Sequence, residues 1–473
     1  MPADVDVVVI GSGAAGLTAA LTARAEGARV AIAESETVVG GATRLSAGWV
    51  MAADTEPQRQ AGLEDSAENL FHEYMFINQF GLQPALVRRL AECGADAISW
   101  LLEQGVRFDP DIKKGGPELV PRTHAPDGYG QGIVDLLERR CREQGIDIAL
   151  GQRVGRLLRR GDAVVGVSVG DDEIEAGAVV LATGGFGANR ALVDAHLPSL
   201  GRLGDWVFYI GPESCRGDAL ALAGSVGAAM TGHDCFISLP VPRPDGRDFD
   251  SYLPAWMLVV GPDGRRLCDE TSPYGITCGL LIDAGGRVFG FFDEQILADN
   301  GTPELPTFKP HPSGALRPVA FWTSDTIRWC IDGGSIVRAN SLGELFSVLD
   351  LPVAATAGAV RRYNDSASLG ADRDFGKDAR FVRPIEKPPF YGVELRPAAI
   401  GATSFGVQID ASGQVLDESQ APIEGLFAAG ECTGGTLGSR YLSSGNSLGN
   451  CFVFGRVAGR SAARHALGGA AQP

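Results

Sequence analysis

Three glycines near the start of the chain are spaced as G-x-G-x-x-G. The segment Gly11-Ser12-Gly13-Ala14-Ala15-Gly16 follows an apolar run, Val5–Ile10, and opens an alanine- and leucine-rich segment, Ala14–Glu26. In this pattern the first glycine permits a tight turn, the second lets the backbone approach a pyrophosphate, and the third lets a helix pack on a strand. Glu34 ends the next apolar run, Ala28–Glu34, where its carboxylate can accept hydrogen bonds from ribose hydroxyls. These segments predict a β-α-β unit that binds a dinucleotide.

A second loop of small residues follows Glu34. It consists of Gly40-Gly41-Ala42-Thr43 and Ser46-Ala47-Gly48. Small side chains let the backbone run close to a bound molecule, so this loop suits a long cofactor.

Two later strand-like segments also end at glycines. Glu173–Thr183 stops at Gly184, and Gly425–Glu431 precedes a predicted helix, Gly445–Ala463. We therefore expect the two ends of the chain and this middle strand to meet at one ligand site.

The charge and hydropathy of the chain exclude several kinds of partner. The 473 residues include 41 basic and 58 acidic side chains, so the formal charge is −17, which repels phosphate backbones and anionic membranes. Hydrophobic residues make up 45% of the chain, but no segment approaches the ~20 apolar residues that span a bilayer. The first residues lead from an apolar run into the glycine loop without a basic segment, which indicates a strand and not a signal peptide. We expect a soluble, cytoplasmic protein that binds neither nucleic acid nor a membrane.

Nine cysteines are scattered along the chain without a CxxC pair. An odd number at wide spacing fits neither a disulfide framework nor a zinc site, so we expect no metal. The sequence also lacks CxxCH, the attachment signal of a c-type haem. Any electrons must leave through a separate acceptor, which the sequence does not identify.

The pattern of the sequence changes between Gly232 and Pro397. A turn-forming Gly261-Pro262-Asp263-Gly264 segment, a loop-rich stretch at 299–318 and a stiff proline-rich exit, Arg383–Tyr391, interrupt the alternation of strands and helices. This change indicates an inserted domain.

We therefore expect an α/β fold with two domains. A discontinuous Rossmann-like domain, residues 1–231 and 398–473, is predicted to bind the cofactor. An inserted α+β capping domain, residues 232–397, is predicted to contribute to the substrate site. The last seven residues, 467–473, are expected to fray.

Several segments together resemble one flavoprotein family. The N-terminal unit, Ala182–Phe186 and Ala428–Glu431 are similar to segments of fumarate reductases, succinate dehydrogenase flavoprotein subunits and 3-ketosteroid dehydrogenases. The similarity includes Arg361–Asn364 and Pro388–Tyr391, and so runs over most of the chain. It implies that the cofactor is FAD, bound in an extended conformation by a Rossmann-like domain.

The resemblance also implies particular contacts. Glu431 is placed near the ribityl chain, and Asn446-Ser447-Leu448 at a helix N-terminus that faces the flavin pyrimidine, where it would stabilise negative charge on the reduced flavin. No histidine lies between Met1 and Phe71 to form the covalent link of the succinate dehydrogenase subunits, so we expect non-covalent FAD. The predicted FAD contacts are Gly11, Gly13, Ala14, Ala15, Gly16, Glu34, Ser35, Gly40, Gly41, Ala42, Thr43, Ser46, Ala47, Gly48, Ala182, Thr183, Gly184, Gly430, Glu431, Asn446, Ser447 and Leu448.

Two departures from the fumarate reductase pattern bear on the substrate. Those enzymes hold a dicarboxylate with histidine and arginine, and an arginine shortly after an NE motif delivers the proton. Here the matching segment, Cys268–Tyr274, places Tyr274 at the position of that arginine, and the later segment Gly401–Gly406 lacks the histidine. The resemblance therefore disfavours a C4 dicarboxylate.

The segment Arg440–Gly449 instead resembles the Y-x-S/G-x-G segment of 3-ketosteroid dehydrogenases, the Δ4 type more than the Δ1 type. This likeness implies that Tyr441 and the Gly445 amide polarise a ketone, that Tyr274 removes the α-proton, and that Ser443 relays a proton. Hydrogen-bond donors at the ketone oxygen make the α-proton acidic enough to leave. The β-hydride then passes to flavin N5.

The leading hypothesis is therefore FAD-dependent α,β-dehydrogenation of a 3-ketosteroid or a smaller cyclic ketone. The alternative is a flavin-dependent reductase of an unsaturated carboxylate, for which Arg440, shifted by one residue, would anchor the substrate. A non-catalytic flavin sensor is a third possibility, which Tyr274 and Tyr441 disfavour. The roles of Arg440, His124 and Tyr129 stay open.

Overall fold

The computed structural model describes residues 3–242, 248–250, 252–299, 319–320 and 322–468. Apart from Asp299, the predicted loop-rich stretch 299–318 lies outside the described residues. The predicted frayed tail also lies outside them beyond Gly468.

The strands of the described residues are short, apart from β8 and β17. In chain order they are β1 (Val5–Ile10), β2 (Val30–Ala33), β3 (Val50–Met51), β4 (Thr123–His124), β5 (Asp147–Ala149), β6 (Val154–Arg160), β7 (Ala163–Val169), β8 (Asp172–Leu181), β9 (Phe208–Tyr209), β10 (Met230–Thr231), β11 (Phe236–Val241), β12 (Asp248–Phe249), β13 (Leu258–Val260), β14 (Val288–Asp293), β15 (Val319–Ala320), β16 (Ile336–Ala339), β17 (Phe390–Thr403), β18 (Gly406–Val407), β19 (Gln414–Leu416) and β20 (Pro422–Ala428).

The described residues also form α-helices. In chain order they are α1 (Ala14–Ala25), α2 (Glu56–Gln60), α3 (Ala67–Ile77), α4 (Pro84–Gln104), α5 (Tyr129–Glu143), α6 (Arg190–His196), α7 (Pro198–Gly201), α8 (Asp218–Gly224), α9 (Tyr274–Asp283), α10 (Glu294–Ala298), α11 (Ser324–Asp332), α12 (Leu342–Val348), α13 (Val353–Leu369) and α14 (Asn446–Ala466). Within the part of the chain that the structure describes, no helix is both long and apolar enough to cross a membrane.

A sheet built on parallel strands organises the first of two compact units. Its main strand order is β19-β20-β8-β1-β2-β5, with β1 parallel to both β2 and β8. Strand β1 is buried from Val7 to Ile10, which explains its nearly continuous apolar sequence. The predicted Rossmann-like α/β fold is confirmed, although β2 begins at Val30 and ends at Ala33, inside the predicted limits.

The two ends of the chain meet in this unit. Strand β20 pairs in parallel with β8, and α14 packs along α1. The glycines of α14 allow this approach, because a Cβ on Gly455 would lie 2.7 Å from the Ala15 carbonyl oxygen and one on Gly459 would lie 2.3 Å from that of Ala19. The glycine loop and the C-terminal helix are therefore fixed to each other.

The second unit contains a mainly antiparallel sheet of order β11-β17-β14-β13, with β16 also paired to β17. Its core includes buried aromatic residues such as Phe289, Phe291 and Phe346. The unit comprises Ser199–Ile210 and Ser238–Gly401, and the first unit comprises the rest of the chain.

These limits differ in detail from the predicted domain limits. The structure groups residues 199–210 with the second unit, because β9 pairs with β17. The predicted limits placed this segment in the first domain, because residues 211–237 separate it from the rest of the second unit. The functional division into a cofactor domain and a capping domain stays a prediction.

Candidate functional site

The glycine loop is in close contact with the end of β8. Gly11 has φ +102°, and a Cβ there would lie 2.3 Å from the Ala182 carbonyl oxygen. A Cβ on Gly16 would lie 1.9 Å from the Gly11 carbonyl oxygen. Helix α1 begins directly after the loop and has no acidic residue in its first turn. Its N-terminus therefore presents a positive partial charge that suits a pyrophosphate.

Glu34 directly follows β2 beside this loop, and its carboxylate accepts four hydrogen bonds, one of them from Ser35 Oγ to Oε1 at 3.3 Å. Ser12 N–H and Ser12 Oγ donate to Oε2 at 2.8 and 2.6 Å, and Glu36 N–H donates to Oε1 at 2.8 Å. Only 5% of Glu34 is exposed. The carboxylate is thus fixed where it can accept hydrogen bonds from a ribose.

A cavity joins Glu34, the glycine loop and Glu431 within the first unit. Many of the residues between these two acids are small, which lets a bound molecule approach the backbone. Its lining consists of Ile10, Gly11, Ser12, Gly13, Ala14, Ala15, Ala33, Glu34, Ser35, Gly41, Ala42, Thr43, Gln152, Arg153, Val154, Ala182, Thr183, Gly184, Ser214, Cys215, Asp218, Ala429, Glu431 and Cys451.

Some predicted contacts do not line this cavity. Gly40 lies behind the glycine loop, where its N–H donates to Ser12 Oγ at 3.1 Å. Gly48 has φ +72°, and a Cβ there would lie 2.4 Å from Gly130 N at the start of α5. Other predicted contacts outside the lining are Gly16, Ser46, Ala47, Gly430, Asn446, Ser447 and Leu448.

The cavity also contains residues that the sequence did not indicate. Arg153 Nη1 pairs with both carboxylate oxygens of Asp218, at 2.6 and 2.7 Å. Both residues line the same cavity as Glu34. These residues are 65 positions apart and belong to no glycine motif, so no local signal marked them. They are candidates for contacts with the nucleotide half of the cofactor.

Glu431 is the second glutamate that lines the cavity. Its Oε1 accepts the Thr403 N–H at 2.9 Å and the Thr403 hydroxyl at 3.2 Å. A Cβ on Gly185 would lie 2.1 Å from the same oxygen, so only glycine fits there. Burial raises the pKa of Glu431 to about 7. Near neutral pH this carboxyl group can therefore act as either a donor or an acceptor towards a sugar-alcohol hydroxyl.

Together these features fit FAD. The fixed carboxylate suits a ribose, the α1 N-terminus suits a pyrophosphate, and the second acid suits a ribityl chain. No group of His, Cys, Asp and Glu among the described residues is arranged to hold a metal ion.

The loop before α14 holds Tyr441 and Gly445. The Tyr441 hydroxyl oxygen accepts the Ser447 N–H at 2.9 Å, and 8% of the residue is exposed. Burial raises the pKa of Tyr441 above its ordinary value. The hydroxyl group is therefore neutral at neutral pH, which suits a hydrogen-bond donor and not a base.

Gly445 forms the N-cap of α14. It has φ +95°, and a Cβ would lie 2.8 Å from Met51 N. Its carbonyl oxygen accepts the Met51 N–H at 3.0 Å. For its own N–H, no acceptor is found among the described residues. This backbone donor lies between Tyr441 and Ser447 in sequence.

Ser443 lies in the same loop and contacts a residue that the sequence did not indicate. Its Oγ donates to Glu118 Oε1 at 2.7 Å, across 325 positions of sequence. Thr123 Oγ1 lies 3.2 Å from the same hydroxyl oxygen. The predicted relay residue is thus in contact with a buried carboxyl group.

Tyr274 lies in the second unit as the first residue of α9. It is half-buried, and its ring meets that of Tyr252 edge to face at 5.4 Å. The segment before it is anchored by Glu270, which pairs with Arg266 and with Lys377, each at 3.0 Å. This buried network fixes the backbone that leads to Tyr274.

The three residues with open roles have different surroundings. His124 is fully buried, with its ring nitrogens next to Thr55 Oγ1 and the Val50 carbonyl oxygen, and burial lowers its pKa to about 4. A neutral, fully paired histidine is typical of a structural residue. Tyr129 has φ +63° and begins α5. The backbone of Arg440 forms two hydrogen bonds with the Asn78 side chain, each of 3.1 Å.

The chain matches a family model described as FAD binding domain over residues 6–448. It is 32% identical to the probable fumarate reductase Ifc3 of Shewanella frigidimarina (strain NCIMB 400), over 98% of this chain and 75% of the relative. It is 26% identical to the 4-oxocyclohexanecarboxylate 2-dehydrogenase of Sinomonas cyclohexanicum, over 98% of this chain and 93% of the relative.

A solved structure is similar over nearly the whole chain. The 3-ketosteroid Δ4-(5α)-dehydrogenase of Rhodococcus jostii RHA1, in complex with 4-androstene-3,17-dione, superposes with a TM-score of 0.79 at 27% identity. The match covers 97% of this chain and 96% of that one.

Proposed function

Since the chain belongs to the FAD-binding domain family of flavoproteins, we propose that it dehydrogenates a cyclic ketone between its α- and β-carbons. The membership confirms the family resemblance, and FAD is the cofactor. The family and its relatives also show that the chain is a flavin-dependent oxidoreductase. The ketone substrate and the direction of the reaction are what we propose.

The arrangement around Tyr441 is the observation that carries this proposal. A neutral tyrosine hydroxyl and the Gly445 N–H lie in one loop, at the N-terminus of α14. Two such donors would stabilise the negative charge that develops on a ketone oxygen as the α-proton leaves. We assign the base to Tyr274 and a proton relay to Ser443.

FAD supplies the acceptor for the β-hydride when it is bound. The protein's own contribution is to hold the ketone oxygen, remove the α-proton and keep the cofactor in place without a covalent bond. Two relatives support a ring ketone, because their names describe dehydrogenases of a 3-ketosteroid and of an oxocyclohexane carboxylate.

The alternative is a reductase of an unsaturated carboxylate. It is favoured by the fumarate reductase relative, which has the higher identity of the two sequence relatives described. Arg440 would then bind the carboxylate, since its backbone is fixed by Asn78 beside the same loop. The electron acceptor or donor and a cytoplasmic location stay predictions in both cases.

Both half-reactions can be measured on the purified flavoprotein. Oxidised protein is mixed without oxygen with 4-oxocyclohexanecarboxylate, cyclohexanone or a saturated 3-ketosteroid, and chemically reduced protein with fumarate, acrylate or urocanate. Bleaching of the flavin by a ring ketone, with an enone as product, supports the proposal. Reoxidation by an unsaturated acid without bleaching by any ketone would establish the alternative.

A further inference from the structure

The buried carboxyl group of Glu118 lies against the loop that carries Ser443. Ser443 Oγ donates to Glu118 Oε1 at 2.7 Å, and Gly115 N–H donates to the same oxygen at 2.8 Å. Only 1% of Ser443 and none of Glu118 is exposed. Glu118 Oε2 is also buried and has no hydrogen-bond partner among the described residues. One carboxyl oxygen is therefore left to bind a proton.

Two glycines bring the carboxyl group this close to the loop. A Cβ on Gly115 would lie 2.9 Å from Ser443 Oγ, and one on Gly116 would lie 2.0 Å from the Leu442 carbonyl oxygen. The Ser444 N–H also donates to the Gly115 carbonyl oxygen at 3.1 Å. The close approach of the two segments is therefore built into the backbone.

Burial disfavours the ionised form of Glu118, and the nearby charge of Arg122 offsets this only in part. The fully buried Arg122 pairs with Asp65 at 2.6 Å and with Glu73 at 2.7 Å, so two carboxylates already oppose its charge. Lys113, on the same segment, pairs with two aspartates. Burial raises the pKa of Glu118 above its ordinary value, and the hydrogen bond from Ser443 and the charge of Arg122 oppose this rise only in part. Proton exchange at this carboxyl group is thus shifted towards neutral pH, where a relay group works best.

We propose that Glu118 is the proton acceptor at the end of the relay that starts at Ser443. This inference rests on the proposed dehydrogenation. When Ser443 receives the proton that Tyr274 has removed from the substrate, its own hydroxyl proton passes to Glu118, which changes from carboxylate to carboxylic acid. Leu119, the next residue, is 80% exposed, so the segment that carries Glu118 reaches solvent. Glu118 acts through Ser443 and is a positioning residue, not a catalytic one.

Glu118→Gln tests the relay, because glutamine keeps an acceptor for Ser443 and Gly115 but cannot exchange a proton. We expect flavin reduction by the ketone to slow by about 10- to 100-fold, within the range of general acid–base effects. The rise of this rate with pH should disappear, while FAD content and Tm stay near those of the wild type. Thr123→Val is the matched control. It removes a hydroxyl group that contacts the same loop and leaves the carboxyl group of Glu118 in place. It should keep the pH dependence.

Infrared difference spectroscopy of the holoprotein gives a second readout that needs no substrate. A carboxylic acid carbonyl band that titrates above the ordinary range, is absent in Glu118→Gln and shifts in Ser443→Ala supports the coupling. A wild-type pH profile in Glu118→Gln, or no such band, would overturn it. If no ketone reduces the wild-type flavin, the proposed function fails, and the infrared titration by itself decides whether Glu118 exchanges protons with Ser443.

Discussion

The hydroxyl oxygen of Tyr441 accepts the backbone N–H of Ser447 at 2.9 Å. This bond joins a side chain of the loop to the first turn of α14, whose N-terminus carries a positive partial charge. Gly445 lies between the two residues in sequence and forms the N-cap of the helix. The position of the proposed ketone donor therefore depends on the helix that closes the cofactor unit.

Tyr441→Phe should keep bound FAD and lose most of the activity. Removal of one preorganised donor to a developing oxyanion costs on the order of 10²- to 10³-fold in rate. Anaerobic stopped-flow absorbance measures the rate of flavin reduction. Tyr391→Phe is the control, because that hydroxyl donates to Glu294 in the second unit, and it should reduce at the wild-type rate. Wild-type rates in Tyr441→Phe would remove the donor assignment.

Gly445→Ala should destabilise the protein, because the new Cβ would lie 2.8 Å from Met51 N at φ +95°. We expect a loss of about 1–3 kcal/mol in the free energy of unfolding, measured by denaturant titration. Gly227→Ala separates strain from contact, since Gly227 has φ +83° and a Cβ there would meet no atom within 4 Å. Equal losses in the two variants would show that the contact with Met51 costs nothing.

Glu34→Gln should weaken FAD binding by about 10- to 100-fold, since it replaces a charged acceptor that already takes two bonds from Ser12. Quenching of flavin fluorescence on titration of the apoprotein gives the Kd. Glu36→Gln is the control, because only its backbone N–H contacts Glu34. An unchanged Kd in Glu34→Gln would contradict the ribose assignment.

The stability of the apoprotein should fall as the pH rises towards 7. Burial raises the pKa of Glu431 from 4.5 to about 7, so in this window the folded state binds more protons than the unfolded state. Stability is then fully present below about pH 4.5 and decreases as the pH rises through 7, by about 1.4 kcal/mol for each unit of pKa difference. Tm measured from pH 5 to 8 should decline less in Glu431→Gln. Equal slopes would show that Glu431 is not the group responsible.

Arg440→Gln separates the two candidate functions. If the substrate is a neutral ring ketone, we expect less than about threefold change in the rate of flavin reduction, because a partly exposed charge contributes little to the binding of a neutral molecule. If a carboxylate is anchored there, the loss of a charge-assisted bond should raise KM for an unsaturated acid by about 10-fold or more. Steady-state kinetics with both substrate classes gives the answer.

The local part of the site was predictable from the sequence. The turn at Gly11, the acid Glu34 and the start of α14 at Asn446 are set by neighbours in sequence, and the structure contains each of them. Gly11 and Glu34 line the same cavity, whereas Asn446 does not. Strand β2 is shorter than its apolar run because pairing with β1 covers only Val30–Ala33.

Other parts depend on contacts between distant segments. Glu118 meets Ser443 across 325 positions, and Arg153 meets Asp218 across 65. Glu118, Arg153 and Asp218 each look like ordinary surface charges in the sequence, because nothing in their own segments shows which side chain they meet. The packing of the whole first unit determines these pairs.

The most direct test of the proposed function uses a ring ketone with deuterium at the β-carbon. Oxidised holoprotein is mixed with the labelled and unlabelled ketone without oxygen, and the visible flavin band is followed. The proposal predicts bleaching in a single phase that is slower with deuterium, together with an enone as product. No bleaching by either ketone, while an unsaturated acid reoxidises the reduced protein, would contradict it.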